Sequence, residues 1–175
     1  MSLSRNIVLV ALVILGVASR WLPHPPNVSP VMAIALLSGV YFSGKKGAVL
    51  LPLVALFISD LVLGFHSTIW AVYLAMAVVV WGAGQLSSKS QSSPGWLNVT
   101  LMGLGASVWF FLLTNFAVWA QTGMYPHTVD GLVACYVAAI PFFQNSLMGN
   151  AVYIFILFGS YELIRRHLPQ AATAR

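Results

Sequence analysis

The sequence predicts an all-α integral membrane protein, and three observations support that fold class. Only eight Lys or Arg and three Asp or Glu occur among 175 residues, 6% of the chain, against roughly 25% in an ordinary soluble domain. Apolar residues make up 59% of the chain, and the mean hydropathy is +0.89. A soluble domain would lack the polar groups needed to cover its surface. Apolar stretches separated by Pro, Gly or polar clusters also recur, as expected of successive membrane spans.

The same composition excludes several classes of protein. Disorder requires low hydrophobicity, and nucleic-acid binding requires a basic face, so neither fits this chain. The single cysteine excludes an internal disulfide framework and a multi-cysteine metal site.

Residues 1–175 are expected to form one transmembrane domain of six helices. The first segment ends at the proline cluster of residues 23–26, and the longest polar run, residues 87–95, separates the fourth segment from the fifth. The stretch 132–163 is too long for one span, so we expect it to break at Pro141 into a short apolar helix, 132–140, and the sixth span. The predicted spans are 6–21, 29–42, 47–63, 69–86, 97–121 and 141–163.

Six spans sort the basic residues to one side of the membrane. Arg20 alone falls on the opposite side, and this asymmetry predicts a multi-pass inner-membrane protein with both termini in the cytoplasm. A cleaved signal peptide over the first segment is the alternative, and it would leave five spans. The seven residues on the predicted cytoplasmic side are Arg5, Lys45, Lys46, Lys89, Arg165, Arg166 and Arg175.

Polar residues of the opposite, outer side are candidates for a binding site. Asp60 follows an apolar run, and a carboxylate at membrane depth costs on the order of 3 kcal/mol, which favours a functional role over hydration or capping. His24 lies in the stiff segment Pro-His-Pro-Pro-Asn, which either presents it to a ligand or leaves it solvated. Several short spans also favour a transporter, because interrupted segments often hold transporter sites.

Amides and aromatic side chains extend the candidate set. An intramembrane amide such as Asn115, Gln144 or Asn145 bonds either to a neighbouring helix or to a ligand. Aromatic residues near the outer interface either form a membrane belt or stack on a planar ligand. The predicted substrate-binding residues are His24, Asn27, Asp60, His66, Tyr73, Asn115, Trp119, Tyr125, Gln144 and Asn145.

Metal and catalytic sites are weaker alternatives. His24, His66 and His127 are potential metal ligands, but no two have a local spacing such as HxxxH. No HExxH or nucleophile motif is present, so we predict neither an enzyme nor a resident cofactor. A membrane enzyme or metal-ion transporter using His24, Asp60 and His66 remains an alternative, as does a structural or assembly protein.

Several motifs, in this order, resemble the substrate-binding (S) components of energy-coupling-factor (ECF) transporters. They are residues 20–27 (Arg-Trp-Leu-Pro-His-Pro-Pro-Asn), Ser59-Asp60 with residues 64–68, residues 114–119, and residues 125–145. The chain looks most similar to a branch of small S-component-like proteins related to the solitary cobalamin transporter.

The resemblance implies an S-component-like six-helix bundle with an outward-facing pocket for a vitamin or similar small nutrient. It implies that His24, Asp60, Tyr73 and Gln144 face the substrate, with cobalamin possible only as the transported molecule. GxxxxGK[ST] is absent, so ATP would act through an ECF-type membrane (T) subunit and ATPases, unless the protein works alone.

Overall fold

The computed structural model describes residues 3–42, 47–88 and 94–167, without the side chains of residues 3–6 and 165–167. All regular secondary structure in these ranges is helical. The predicted orientation rests on seven basic residues, and the described part of the structure includes none of their side chains. The helices are α1 (Leu3–Trp21), α2 (Val31–Phe42), α3 (Leu50–Leu63), α4 (Ile69–Ser88), α5 (Trp96–Gln121) and α6 (Val129–His167).

The six-helix, all-α prediction agrees with these elements, and membrane insertion is supported by three of them. α4, α5 and the part of α6 up to Ile164 are long and apolar enough to cross a membrane. The apolar part of α1, Ile7–Trp21, and the whole of α2 and α3 are shorter. These elements indicate a helical membrane protein.

The expected break at Pro141 is wrong, because α6 runs through it as one helix of 39 residues. Proline removes one backbone N–H and crowds the preceding turn, but packing on α5 holds both flanks in line. The ring of Phe111 on α5 lies 5.4 Å from Tyr136 and 4.7 Å from Phe143, on either side of the proline. Membrane helices tolerate such a proline when neighbouring groups compensate.

Helix α2 forms the centre of the bundle and contacts each of the other five helices. Every α2 residue except Tyr41 is buried, as expected of a helix that is apolar all round. Its approach to α4 is close, because a Cβ on Gly39 would lie 2.4 Å from the carbonyl oxygen of Val80. Twelve residues rise only about 18 Å, well short of the roughly 30 Å hydrocarbon core. The short helix leaves room in the bundle beyond its N-terminus.

Contacts between helix ends define two ends of the bundle. At the first, which we call the Asp60 end, Arg20 of α1 contacts Asp60 of α3. At the second, the Glu162 end, Tyr41 of α2 donates a hydrogen bond to Glu162 of α6. The Asp60 end contains the α1–α2, α3–α4 and α5–α6 connections, which are the three that the sequence assigns to the outer side.

Candidate solute-binding site

A cavity of about 330 Å³ lies beyond the N-terminus of α2, at the Asp60 end. We call it the main cavity. The exposed side chains of His24, Asn27 and His66 lie at its rim, and the buried Ser107 and Asn150 form its floor. All six helices contribute lining residues, represented in chain order by Arg20, Met32, Asp60, Val72, Phe110 and Ser146.

One wall of the main cavity contains a buried carboxylate with two partners. Arg20 Nη2 donates to Asp60 Oδ1 at 2.5 Å, and the Tyr73 hydroxyl donates to Asp60 Oδ2 at 2.9 Å. The Asp60 side chain is 3% exposed, whereas that of Arg20 is 22% exposed. Tyr73 does not line the cavity and instead holds the carboxylate through the second oxygen. The guanidinium is therefore the charged group that this wall presents.

The floor of the main cavity is a hydrogen bond between α5 and α6. Asn150 Nδ2 donates to the Ser107 hydroxyl at 2.7 Å, and that hydroxyl donates to the Gly103 carbonyl at 2.8 Å. Both side chains are buried. A polar pair at this depth satisfies part of its own hydrogen bonding and offers the rest to the cavity.

A second cavity, of about 380 Å³, adjoins the first and is more aromatic. We call it the aromatic cavity. Asn27, His66, Phe110 and Ser146 are among the residues that line both spaces. Its own walls include Phe111, Thr114, Asn115, Phe142 and Phe143. The two spaces together present a charged wall, a polar floor and a side chamber that combines aromatic rings with hydroxyl and amide groups.

The connection between α1 and α2 folds against α6 at the cavity rim. Asn27 has φ = 63°, a left-handed conformation that Asn adopts more readily than most residues. The amide of Val28 donates to the Pro25 carbonyl at 3.1 Å, closing a turn. A Cβ on Gly149 would lie 3.2 Å from Val28 Cα, so glycine permits this close approach.

DUF6580, a family of unknown function, matches residues 1–171. The chain belongs to the DUF6580 family. No curated protein and no solved structure gave a significant match to this DUF6580 protein.

Five of the ten predicted site residues of this DUF6580 protein line the two cavities. Asp60 and His24 line the main cavity, Asn115 lines the aromatic cavity, and Asn27 and His66 line both. Each histidine has a local contact: His24 Nδ1 lies 2.9 Å from the Pro25 carbonyl oxygen, and His66 Nδ1 lies 3.1 Å from Thr68 Oγ1. The Asn115 amide donates to the Phe111 carbonyl at 2.8 Å.

The other predicted residues lie outside the lining of both cavities. Tyr73 is the partner of Asp60 described above. Trp119 Nε1 donates to the Pro126 carbonyl at 3.0 Å, and its ring packs on His127, so the pair braces the α5–α6 connection. The side chain of Tyr125 is half-buried in that connection.

Gln144 and Asn145 are placed outside the cavities by the register of α6. Ser146 and Asn150, four residues apart, share the helix face that lines the main cavity. Each residue turns a helix by about 100°, so Asn145 and Gln144 project from other faces.

Four residues that line the main cavity are not among those predicted from the sequence: Arg20, Ser107, Ser146 and Asn150. Arg20 had a usable signal, because it is the one basic residue that the charge pattern places on the same side as Asp60. The i, i+4 spacing of Ser146 and Asn150 was a second signal. Ser107, within a small-residue stretch, had none.

In the described part of the chain, the side chains that could bind a metal ion do not lie close together. Across residues 3–42, 47–88 and 94–167, no three His, Cys, Asp or Glu residues form a group that could hold a metal ion. His24 and His66 lie at the main cavity, whereas His127 packs against Trp119.

Proposed function

We propose that this DUF6580 protein is a membrane transport protein that binds a small solute in the main cavity. The supporting observation is a cavity lined by all six helices, with a buried carboxylate and a guanidinium in its wall. Solute sites are concave, largely apolar and furnished with a few converging polar groups, which describes the main and aromatic cavities together.

A purely structural role explains the main cavity less well. Replacing a buried ion pair by well-packed apolar residues is often neutral or stabilising. A bundle selected only for stability therefore gains little from placing Arg20 and Asp60 in the wall of a cavity. In a bundle that recognises a polar solute, the same charged groups have a binding role.

An enzymatic role has less support from the contacts. A catalytic Asp60 would act with His24 or His66, but its two oxygens are bonded to Arg20 and Tyr73. These bonds favour a carboxylate that positions other groups.

The proposed direction is uptake, with the Asp60 end facing outward and both termini in the cytoplasm of a six-span inner-membrane protein. The resemblance of the sequence to S components and the distribution of Lys and Arg support this orientation. The proposed cargo is a vitamin or similar small nutrient. ATP would be used by a partner T subunit and ATPases, unless the protein works alone.

The decisive experiment is identification of molecules that co-purify with the protein. Protein extracted from membranes in mild detergent is denatured, and the released small molecules are identified by mass spectrometry. Ser146 lines both cavities, so Ser146→Phe should fill the space and abolish retention. The matched control is Ser160→Phe, at an exposed position on the same helix, which should retain the molecule.

Two results would contradict the proposal. One is the absence of any molecule enriched over a detergent blank, and the other is equal retention by both phenylalanine variants. Affinity capture of the wild-type protein from its native membrane then separates the two modes of energy coupling. Co-purifying ATPases indicate a module, and transport by the purified chain in vesicles indicates a solitary protein.

A further inference from the structure

We infer that the solute carries a carboxylate, which binds Arg20, attached to a planar apolar body that lies in the aromatic cavity. This inference rests on the proposed function and names the chemical class of its solute. It makes Arg20 the recognition residue and Asp60 the carboxylate with which a solute carboxylate shares the guanidinium.

Of the two charged groups in the wall of the main cavity, Arg20 is the more accessible. Asp60 is 3% exposed, and each of its oxygens already accepts a hydrogen bond. Arg20 is 22% exposed, and the structure gives its side chain one hydrogen bond, through Nη2. A guanidinium has five N–H donors in a planar fork, so most of them remain for a ligand.

The charged and titratable groups around the two cavities favour an anionic solute over a cationic one. Among the described residues that line the two cavities, Asp60 is the one acidic side chain. His24 and His66 at the rim add donors or positive charge, never negative charge. A solute amine would therefore meet one carboxylate that is already bonded, whereas a solute carboxylate would meet an accessible guanidinium suited to bidentate contact.

Phenylalanine rings in the aromatic cavity suit a flat body of the solute. Phe110 lines both cavities, and Phe111, Phe142 and Phe143 line the aromatic cavity beside it. Aromatic rings favour offset or edge-to-face packing against another ring. A carboxylate at Arg20 therefore leaves a flat apolar group free to extend among these phenylalanines.

Matched probes test the charge preference directly. The probes are 3-phenylpropionate and indole-3-propionate, the primary amide of each, and 3-phenylpropylamine. We expect the purified wild-type protein to bind each acid at least about tenfold more tightly than its amide, the effect of one charge-assisted hydrogen bond. The amine should bind most weakly.

Two variants assign that preference to Arg20. Arg20→Gln with Asp60→Asn removes both charges together and should bind acid and amide within about twofold of each other, since no charged donor remains. Asp60→Asn alone retains Arg20 and removes the competing carboxylate, so it should widen the gap between acid and amide. If the double variant does not fold, an unchanged or narrower gap in Asp60→Asn overturns the inference.

The outcomes separate this inference from the proposed function. Equal affinity for acid and amide in the wild-type protein, or an unchanged gap in the double variant, overturns the carboxylate inference and leaves solute binding intact. A preference for the amine also overturns it. Failure of every probe to bind, combined with no co-purifying molecule, overturns both.

Discussion

Arg20 Nη2 lies 2.5 Å from Asp60 Oδ1 and joins the last turn of α1 to the last turn of α3. The two partners differ in burial, since the Asp60 side chain is 3% exposed and that of Arg20 is 22% exposed. Breaking the pair therefore has unequal consequences. The charge left behind is buried in one case and partly hydrated in the other.

Arg20→Gln should destabilise the protein more than Asp60→Asn. Loss of Arg20 leaves a buried carboxylate without its cation, which costs about 3–5 kcal/mol in comparable buried pairs. In Asp60→Asn the Arg20 guanidinium keeps access to the cavity, and the asparagine oxygen can still accept from Tyr73. Thermal unfolding in detergent, followed by tryptophan fluorescence, measures the difference.

The double variant is the control for this prediction. With both charges removed, its midpoint should lie above that of Arg20→Gln. Equal destabilisation by the two single variants would show that the charges are hydrated independently, against the burial described above.

Asn150→Ala and Asn145→Ala should have different effects, because only Asn150 lies on the face of α6 that lines the main cavity. Asn150 is buried and donates to Ser107, so its loss should cost about 1–3 kcal/mol and reduce retention of a co-purifying solute. Asn145 is half-buried and does not line either cavity, so its replacement should change stability by less than about 0.5 kcal/mol.

A double-mutant cycle with Ser107→Ala supplies the physical test of that contact. Interhelical hydrogen bonds in membrane proteins average about 0.6 kcal/mol, so a positive coupling of that size is expected between Asn150 and Ser107. Loss of solute in Asn145→Ala but not in Asn150→Ala would contradict the α6 register.

Much of the helical layout was predictable because it depends on local signals. Gly64, the proline cluster after Trp21 and the polar run after Leu86 end helices for reasons contained in a few residues. The continuity of α6 was not predictable from local signals, since Phe111 of another helix packs on both flanks of Pro141. Local rules account for the backbone hydrogen bond that a proline removes. They do not account for the packing that a neighbouring helix adds on either side of it.

The candidate site divides in the same way. Asp60, His24 and His66, which line the main cavity, are predictable as candidates because a polar residue near the end of an apolar span stands out by type. In the sequence Arg20 is only the exception to the charge pattern, because its partner Asp60 lies 40 residues further along the chain. Asn150 and Asn145 are the same residue type in one apolar stretch. Only the packing of α6 on α5 shows which of them reaches the cavity.

Gly39→Ala should severely destabilise the bundle. The new Cβ would lie 2.4 Å from the Val80 carbonyl oxygen and 2.7 Å from Ala83 Cβ, so α2 and α4 would have to separate. Overpacking a core usually costs about 1–3 kcal/mol, and a clash with backbone at this distance should reach or exceed the upper value.

Gly82→Ala is the matched control, on the helix that Gly39 approaches. A Cβ there meets nothing within 4 Å, and alanine is favoured over glycine in a helix by about 0.8–1.0 kcal/mol. Its thermal midpoint should equal or exceed that of the wild-type protein. A similar loss in both variants would show that α2 and α4 are not in close contact at Gly39.

Single cysteines should report which end of the bundle faces outward. The parent variant is Cys135→Ser, which removes the one thiol, a buried group. Met124→Cys adds a thiol at the Asp60 end, where Met124 is 69% exposed, and Ser88→Cys adds one at the exposed end of α4, at the Glu162 end. Because the sequence pattern assigns seven of the eight Lys and Arg residues to the side opposite Asp60, the Glu162 end should face the cytoplasm. A membrane-impermeant maleimide applied to intact cells should therefore label Met124→Cys and leave Ser88→Cys unlabelled until the membrane is permeabilised, whereas the reverse pattern would refute the uptake orientation.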